Sequence, residues 1–283
     1  VKTRVPTLFA TGLLALSLAA CGAEETPEPA AEASPAAGGE GGGGGLPGLL
    51  ASLRENTADA TNYTLDVQMA SEDPDLGEFS VDFTFEVMDD PEAAKTTMVM
   101  PEIGEMLLEL AALGGTGGDL TAEELGTTVI IAPVGGETLI SNHNGLQEAD
   151  TPWVRGGTAG AEGMAPEEMF DLSEFPDLVG AFSGVEGIEE TGTEEVGGVP
   201  TTVVSGTLTQ EQVEAMDPAS RAVVEDFTGG SVSGALEVGI WIAEDGFPMR
   251  LELADDETDM GMEFSEIGTT SFEIPSEDEI SDM

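Results

Sequence analysis

The sequence predicts an α+β domain whose framework is antiparallel β-sheet. Three observations predict it. Phe79, Val81, Phe83, Phe85 and Val87 alternate with Ser80, Asp82, Thr84 and Glu86, and a period of two gives a strand one buried and one wet face. Successive runs of this kind are joined by short turns such as Asp89-Asp90-Pro91 and Gly246-Phe247-Pro248, which makes them hairpins rather than crossovers. Between two such meanders the apolar spacing changes to that of helices, most clearly over Thr209 to Phe227.

In chain order, Lys2 and Arg4 precede an apolar run from Leu8 to Ala20 that ends on small residues and Cys21. That order of charged, apolar and small residues is a secretory signal. The run is shorter than the roughly 20 residues needed to span a hydrocarbon core. Leu18-Ala19-Ala20-Cys21-Gly22 resembles the lipobox of bacterial lipoprotein signals, and Cys21 is the single cysteine of the chain. The resemblance implies cleavage before Cys21, acylation of that residue and a place on the outer face of the plasma membrane. Two or more acyl chains give stable anchoring where one is marginal. Residues 21–45, rich in glycine, proline and alanine, read as a disordered tether.

One domain is expected over 46–274, followed by an acidic tail at 275–283. Leu46, Leu49, Leu50 and Leu53 sit at helical spacing. Strands follow at Tyr63 to Ala70, around Phe79 to Val87, and at Ala94 to Met100. Ile103 to Leu113 reads as a helix, and Thr127 to Ala132 with Glu137 to Ser141 as a hairpin. Asn142 to Gly163 reads mostly as loop around Trp153, and short helices are expected at Pro166 to Phe170 and Ser173 to Ala181. Val185 to Thr191 and Val199 to Leu208 form the next hairpin. Thr209 and Gln212 have capping-box spacing, and Pro218 should break the helix they start. Gly234 to Ala243, Met249 to Leu253 and Met260 to Phe264 make the closing meander.

Charge excludes whole classes of function. There are 57 acidic and 7 basic residues, a net charge of -50. Nucleic-acid binding needs cations to neutralise phosphates, so it is excluded, and anionic headgroups would be repelled. The acidity reads either as a surface for calcium or for steering cationic ligands, or as adaptation to salty surroundings, where carboxylates keep a protein soluble. The spread of acidic residues along the chain favours the second. With no cysteine beyond Cys21, the domain has no internal disulfide and is held by its core.

Candidates for chemistry are few. His143 is the single histidine, and Ser141 or Ser205 would be its only evident nucleophile partners, without a Gly-x-Ser-x-Gly elbow or a third member. Asp255 to Asp259 imitates a calcium loop, but Met260 stands where an EF-hand needs glycine. One histidine and one lipidated cysteine cannot build a zinc site, and no cofactor motif is present, so neither metal nor cofactor is expected and the chain reads as a non-enzyme. What remains is apolar excess on the strands. Phe79, Val81, Phe83, Phe85, Val238, Ile240, Leu251 and Met262 either pack a sheet-on-helix core or line an apolar cavity, with methionines as adaptable contacts.

The order of elements carries a further resemblance. A meander, a helical middle and a second meander opened by Val199-Pro200-Thr201-Thr202-Val203-Val204-Ser205-Gly206 are similar to the LppX/LprAFG lipoprotein family of actinobacteria. So is the segment Val238-Gly239-Ile240-Trp241-Ile242-Ala243-Glu244-Asp245-Gly246-Phe247-Pro248-Met249-Arg250. The resemblance, over about Leu46 to Ile274, implies a LolA-like curved antiparallel half-barrel capped by helices around an apolar cavity. It implies an amphipathic lipid or glycolipid as ligand. The alternative is a sensor or protein-interaction module on the same scaffold.

Overall fold

The computed structural model describes residues 60–73, 77–114, 120–147, 149–156, 175–182, 185–228, 232 and 234–282. The expected signal, tether, N-terminal helix and Pro166 to Phe170 helix lie outside them, and so does Cys21.

Three long strands come first: β1 (Tyr63–Asp73), β2 (Gly77–Asp89) and β3 (Glu92–Val99). The helices α1 (Pro101–Gly114) and α2 (Ala122–Gly126) follow, then the strands β4 (Thr127–Pro133), β5 (Leu139–Ser141) and β6 (Trp153–Arg155). Next come α3 (Phe175–Phe182), β7 (Glu189–Val196), β8 (Val199–Thr209), α4 (Gln210–Ala215) and α5 (Pro218–Phe227). The meander β9 (Ala235–Ala243), β10 (Pro248–Ala254) and β11 (Thr258–Ser265) is followed by a 3₁₀ turn at Glu277–Glu279 and β12 (Ile280–Asp282).

All twelve strands form one open, curled sheet in the order β12-β6-β5-β4-β3-β2-β1-β11-β10-β9-β8-β7. The two meanders therefore meet where β1 pairs with β11, Leu65 opposite Phe264 and Val67 opposite Met262. Every pair is antiparallel except β12 with β6. Because side chains alternate and register is continuous, the odd-numbered apolar residues of β1 and β2 share one face, the inner face, with Ile240, Leu251 and Met262.

The inner face is covered by α3, α4 and α5. Leu178 and Phe182 of α3, Val213 of α4 and Val224 of α5 join Leu208, Leu236, Ile240, Ile242, Leu251 and Phe264 in one buried cluster. The break foreseen at Pro218 separates α4 from α5. Thr209 caps α4, its hydroxyl accepting from the Gln212 N–H while the Gln212 side chain accepts from the Thr209 N–H. Thr121 and Glu124 build the same device on α2.

The loop expected over Asn142 to Gly163 contains a strand, β6. Its three residues, Trp153-Val154-Arg155, offer too little alternation to register as a strand, and pairing with β5 and β12 supplies what propensity does not. The strand expected at Val185 to Thr191 begins later, at Glu189.

After β11 the chain crosses the outer face of the sheet. Asn62 exchanges two hydrogen bonds with the backbone of Thr270, at 2.8 and 3.0 Å. Thr270 Oγ1 lies 2.9 Å from Thr64 Oγ1, and the Lys95 ammonium sits 5.8 Å from the centre of the Phe272 ring. Arg155 donates to Glu277 at 2.7 Å, and Ile280 to Asp282 then pair with Trp153 to Arg155. The sheet thus continues past Ile274 into residues read from sequence as an acidic tail.

Candidate functional site

The inner face is the candidate site, and register shows how its residues assemble. One cross-strand row runs Val204, Ile240, Leu251, Met262, Val67, Phe83, Met98 from β8 to β3. A second runs Val238, Leu253, Met260, Met69, Val81. Cross-strand apolar neighbours in rows of this kind are what a sheet offers either to a core or to a ligand.

All eight residues singled out from sequence share this face, but their surroundings differ. Ile240 and Leu251 are 0 % exposed, and Val238, Met262 and Phe85 are also fully buried, in the cluster closed by α3, α4 and α5. The space left between α5 and the strands, lined by Phe227, Leu236, Leu253 and Met260, is about 10 Å³, about one water probe. Val81 is buried outside that cluster, whereas Phe79 and Phe83 are half-buried. Met69 and Met98, on the same face, are half-buried too. Phe83 and Phe85 stack with ring centroids 5.7 Å apart. Met98, not among those eight, joins the same face opposite Phe83; its sequence signal was the alternation within Ala94 to Met100.

The outer face of the same strands is polar. An open groove of about 440 Å³ runs over Asp66, Gln68, Arg250, Glu252, Gly261 and Glu263. Arg250 Nε donates to Glu263 at 2.9 Å, and its guanidinium lies 5.4 Å from the Trp241 ring. Trp241 Nε1 donates to Glu194 at 2.9 Å. Trp241 lies over Gly239, where an added Cβ would be 2.7 Å from the ring, so that strand position needs glycine. This groove is charged: Arg250 also lies 3.9 Å from Glu252, and Asp66 accepts from Thr84 Oγ1 at 2.7 Å.

Ser141 Oγ and His143 Nδ1 do come within 3.0 Å, but through a turn of the chain: the His143 N–H also donates to Ser141 Oγ, at 3.3 Å. His143 is exposed, and Ser205 pairs instead with Thr191, 2.9 Å away. Asp255 Oδ1 accepts from the N–H groups of Glu257 and Thr258, at 2.9 and 2.8 Å, so its side chain closes the β10–β11 turn. Among the described residues no cluster of three or more His, Cys, Asp or Glu side chains converges to hold a metal. Likewise, no described helix is long and apolar enough to cross a membrane.

No family model and no curated protein matches the chain. Solved structures do. This chain is similar to the mycobacterial lipoproteins LppX and LprF. LppX of Mycobacterium tuberculosis is 18% identical with a TM-score of 0.40, over 80% of this chain and 98% of that one. LprF of Mycobacterium bovis is 14% identical with a TM-score of 0.40, over 82% and 96%. A LolA superfamily protein of Nitrosomonas europaea is 9% identical with a TM-score of 0.27, over 82% and 95%. The family that the sequence segments resembled is thus among the structures found, while the architecture described above rests on its own strand order.

Proposed function

We propose that this chain is a membrane-anchored, extracytoplasmic carrier of an amphipathic lipid or glycolipid, and that it performs no covalent chemistry. The observation that carries the reading is the unequal closure of one continuous apolar face. Where β8 to β11 form it, helices fill it. Where β1 to β3 form it, Leu65, Val67 and Phe85 still join that cluster, but Met69 and Phe83 pack only against its margin and Phe79 and Met98 stay half-buried beyond it. An acyl chain laid along that open part would gain about 25 cal/mol for each Å² of apolar surface withdrawn from water, and the thioethers of Met69 and Met98 would adapt to its shape. Headgroup polarity would remain outside. In this reading Cys21 carries the acyl anchor on the outer face of the plasma membrane, and residues 21–45 set how far the domain travels.

Native mass spectrometry of the chain beginning at Cys21, incubated with dioleoyl phosphatidylcholine, tests the reading. The expected result is a bound lipid of defined mass and about tenfold weaker uptake in Phe83→Asp, a loss of about 1.4 kcal/mol. A chain that stays free of lipid, or a variant that takes it up as well as the parent, overturns it. The filled space of about 10 Å³ under α5 favours the second reading, an interaction module with a packed core, for the β8 to β11 part alone.

A further inference from the structure

Helix α1 carries an apolar stripe that the fold leaves uncovered. Met106, Leu110 and Leu113 recur at helical spacing and are 50%, 62% and 90% exposed. Spacing of i, i+4 and i+7 puts them on one side of the helix. The stripe is not an accident of an unanchored helix. Gly104 of α1 packs so closely on Ala122 of α2 that a Cβ there would collide with the Ala122 carbonyl oxygen, and Met100 donates its N–H to the Gly126 carbonyl at 3.0 Å. Nor is it alone. Leu146, 50% exposed, sits in the loop whose Asn144 amide donates to the Thr127 carbonyl beside α2. Four of the six large exposed apolar residues among those described therefore lie at one end of the sheet. Val134 and Ile267 lie at the other.

That end is also where the inner face is open. Because β3 leads into α1 while Asp82 pairs with Val99, the helix stands next to the start of β2, where Ser80 Oγ, between Phe79 and Val81 but on the other face of the strand, donates to Glu102 at 3.1 Å. The described chain begins at the opposite end, where Tyr63 pairs with Val87. Eleven residues of β1 span about 36 Å at 3.3 Å each. A 25-residue tether over 21–45, taken as the coil its composition predicts, averages about 25–30 Å and extends to roughly 80 Å. It is long enough for the far end of the domain to turn back onto the surface that holds its anchor.

We infer that Met106, Leu110 and Leu113 of α1 form a second, weak membrane contact that seats the open end of the domain on a neutral lipid surface. The inference rests on the proposed anchoring at Cys21, which supplies the effective concentration that a three-residue stripe needs. Glu105 and Glu109 are exposed on the same helix, and the chain carries a net charge of -50. The surface is therefore zwitterionic or uncharged; an anionic one repels the helix unless salt screens it. Seated this way, the end of the sheet that carries Phe79, Val81 and Met98 is held near the leaflet from which a lipid would be taken.

The test couples the chain beginning at Cys21, through its one thiol, to a maleimide lipid in dioleoyl phosphatidylcholine vesicles. Hydrogen exchange is then compared with that of the thiol-capped chain in solution. Attachment is chemical, so the outcome does not depend on native acylation, which the mass of Cys21 in the native host decides separately. Exchange over 101–114 slows about tenfold on the vesicles, that over 258–267 does not, and the slowing disappears in the variant Met106→Ser, Leu110→Ser, Leu113→Ser. Leu113→Ser alone, at a site 90% exposed, gives a partial loss and guards against misfolding of the triple variant. Equal exchange on and off the vesicles overturns the inference. So does a dimer of the soluble chain, seen by sedimentation and lost in the triple variant, which would make a second copy the occupant of the stripe.

Discussion

The two meanders, joined where β1 pairs with β11, solve the same burial problem differently. From β8 to β11, apolar residues of the inner face meet three helices, and Leu208, Leu236, Ile240, Ile242 and Leu251 are closed off completely. From β1 to β3 the same face is as apolar in sequence, but closure is partial: Leu65, Val67 and Phe85 reach the same cluster, while Phe79, Phe83, Met69 and Met98 keep contact with solvent. The difference teaches that apolar alternation alone does not distinguish a core from a binding face. What distinguishes them is which element is laid across the strands.

Substitutions should split along that line. Leu251→Ala, in the closed part, should cost about 2–5 kcal/mol in urea unfolding, the range for a buried leucine whose cavity cannot collapse. Phe83→Ala, in the open part, should cost less than the 3–5 kcal/mol typical of a buried phenylalanine, while reducing lipid uptake. If the two cost the same, the open part is a core and the comparison fails. Thr209→Ala and Thr121→Ala remove one cap from each part, α4 beside β8 and α2 beside β4, and each should cost about 1 kcal/mol by the same measurement. Arg155→Ala breaks exposed ion pairs to Glu277, Glu137 and Asp282 and should shift stability by less than about 1 kcal/mol.

Acid sharpens the contrast further. Hydrogen bonds from the Thr121 N–H and hydroxyl hold the Glu124 carboxyl below the ordinary glutamate range, and those from Ser276 do the same for Glu279. A carboxyl lowered in the folded state contributes stability above its unfolded value and loses it as pH falls through the folded one. Hydrogen exchange at α2 and at the 3₁₀ turn should therefore quicken below the ordinary carboxylate range before exchange at β9 and β10 does. Simultaneous loss at all four would show one cooperative unit with no weaker margin.

Strands with four or five alternating apolar residues, such as β9 and β2, were legible because burial of one face leaves a period of two that no other element imitates. The capping box at Thr209 and the break at Pro218 were legible for a similar reason: each is local chemistry. The eight inner-face residues could be grouped for the same cause, yet their division into closed and open could not. It depends on α3, α4 and α5 lying across β8 to β11, a long-range fact. Strand β6 escaped because its residues are stabilised by partners 14 and about 130 positions away, and the crossing after β11 escaped because Asn62 and Thr270 are joined across 208 positions. The Ser141–His143 contact was foreseeable as proximity, but it is the geometry of a turn.

The crossing after β11 has a bearing on how the chain matures. Its fixing points, Asn62, Lys95 and Arg155, are all made long before residues 270–282 emerge; each has an earlier partner in Asp89, Glu86 and Glu137, and gains its contacts to the crossing when those residues arrive. A chain folding in order from its beginning would present a nearly finished sheet with Trp153, Val154 and Arg155 paired on the β5 side alone, then receive their second neighbour in its last moments. Until residues 280–282 arrive, β6 is the edge of the sheet, paired on one side with β5 and open on the other, so the final residues decide which strand the sheet exposes.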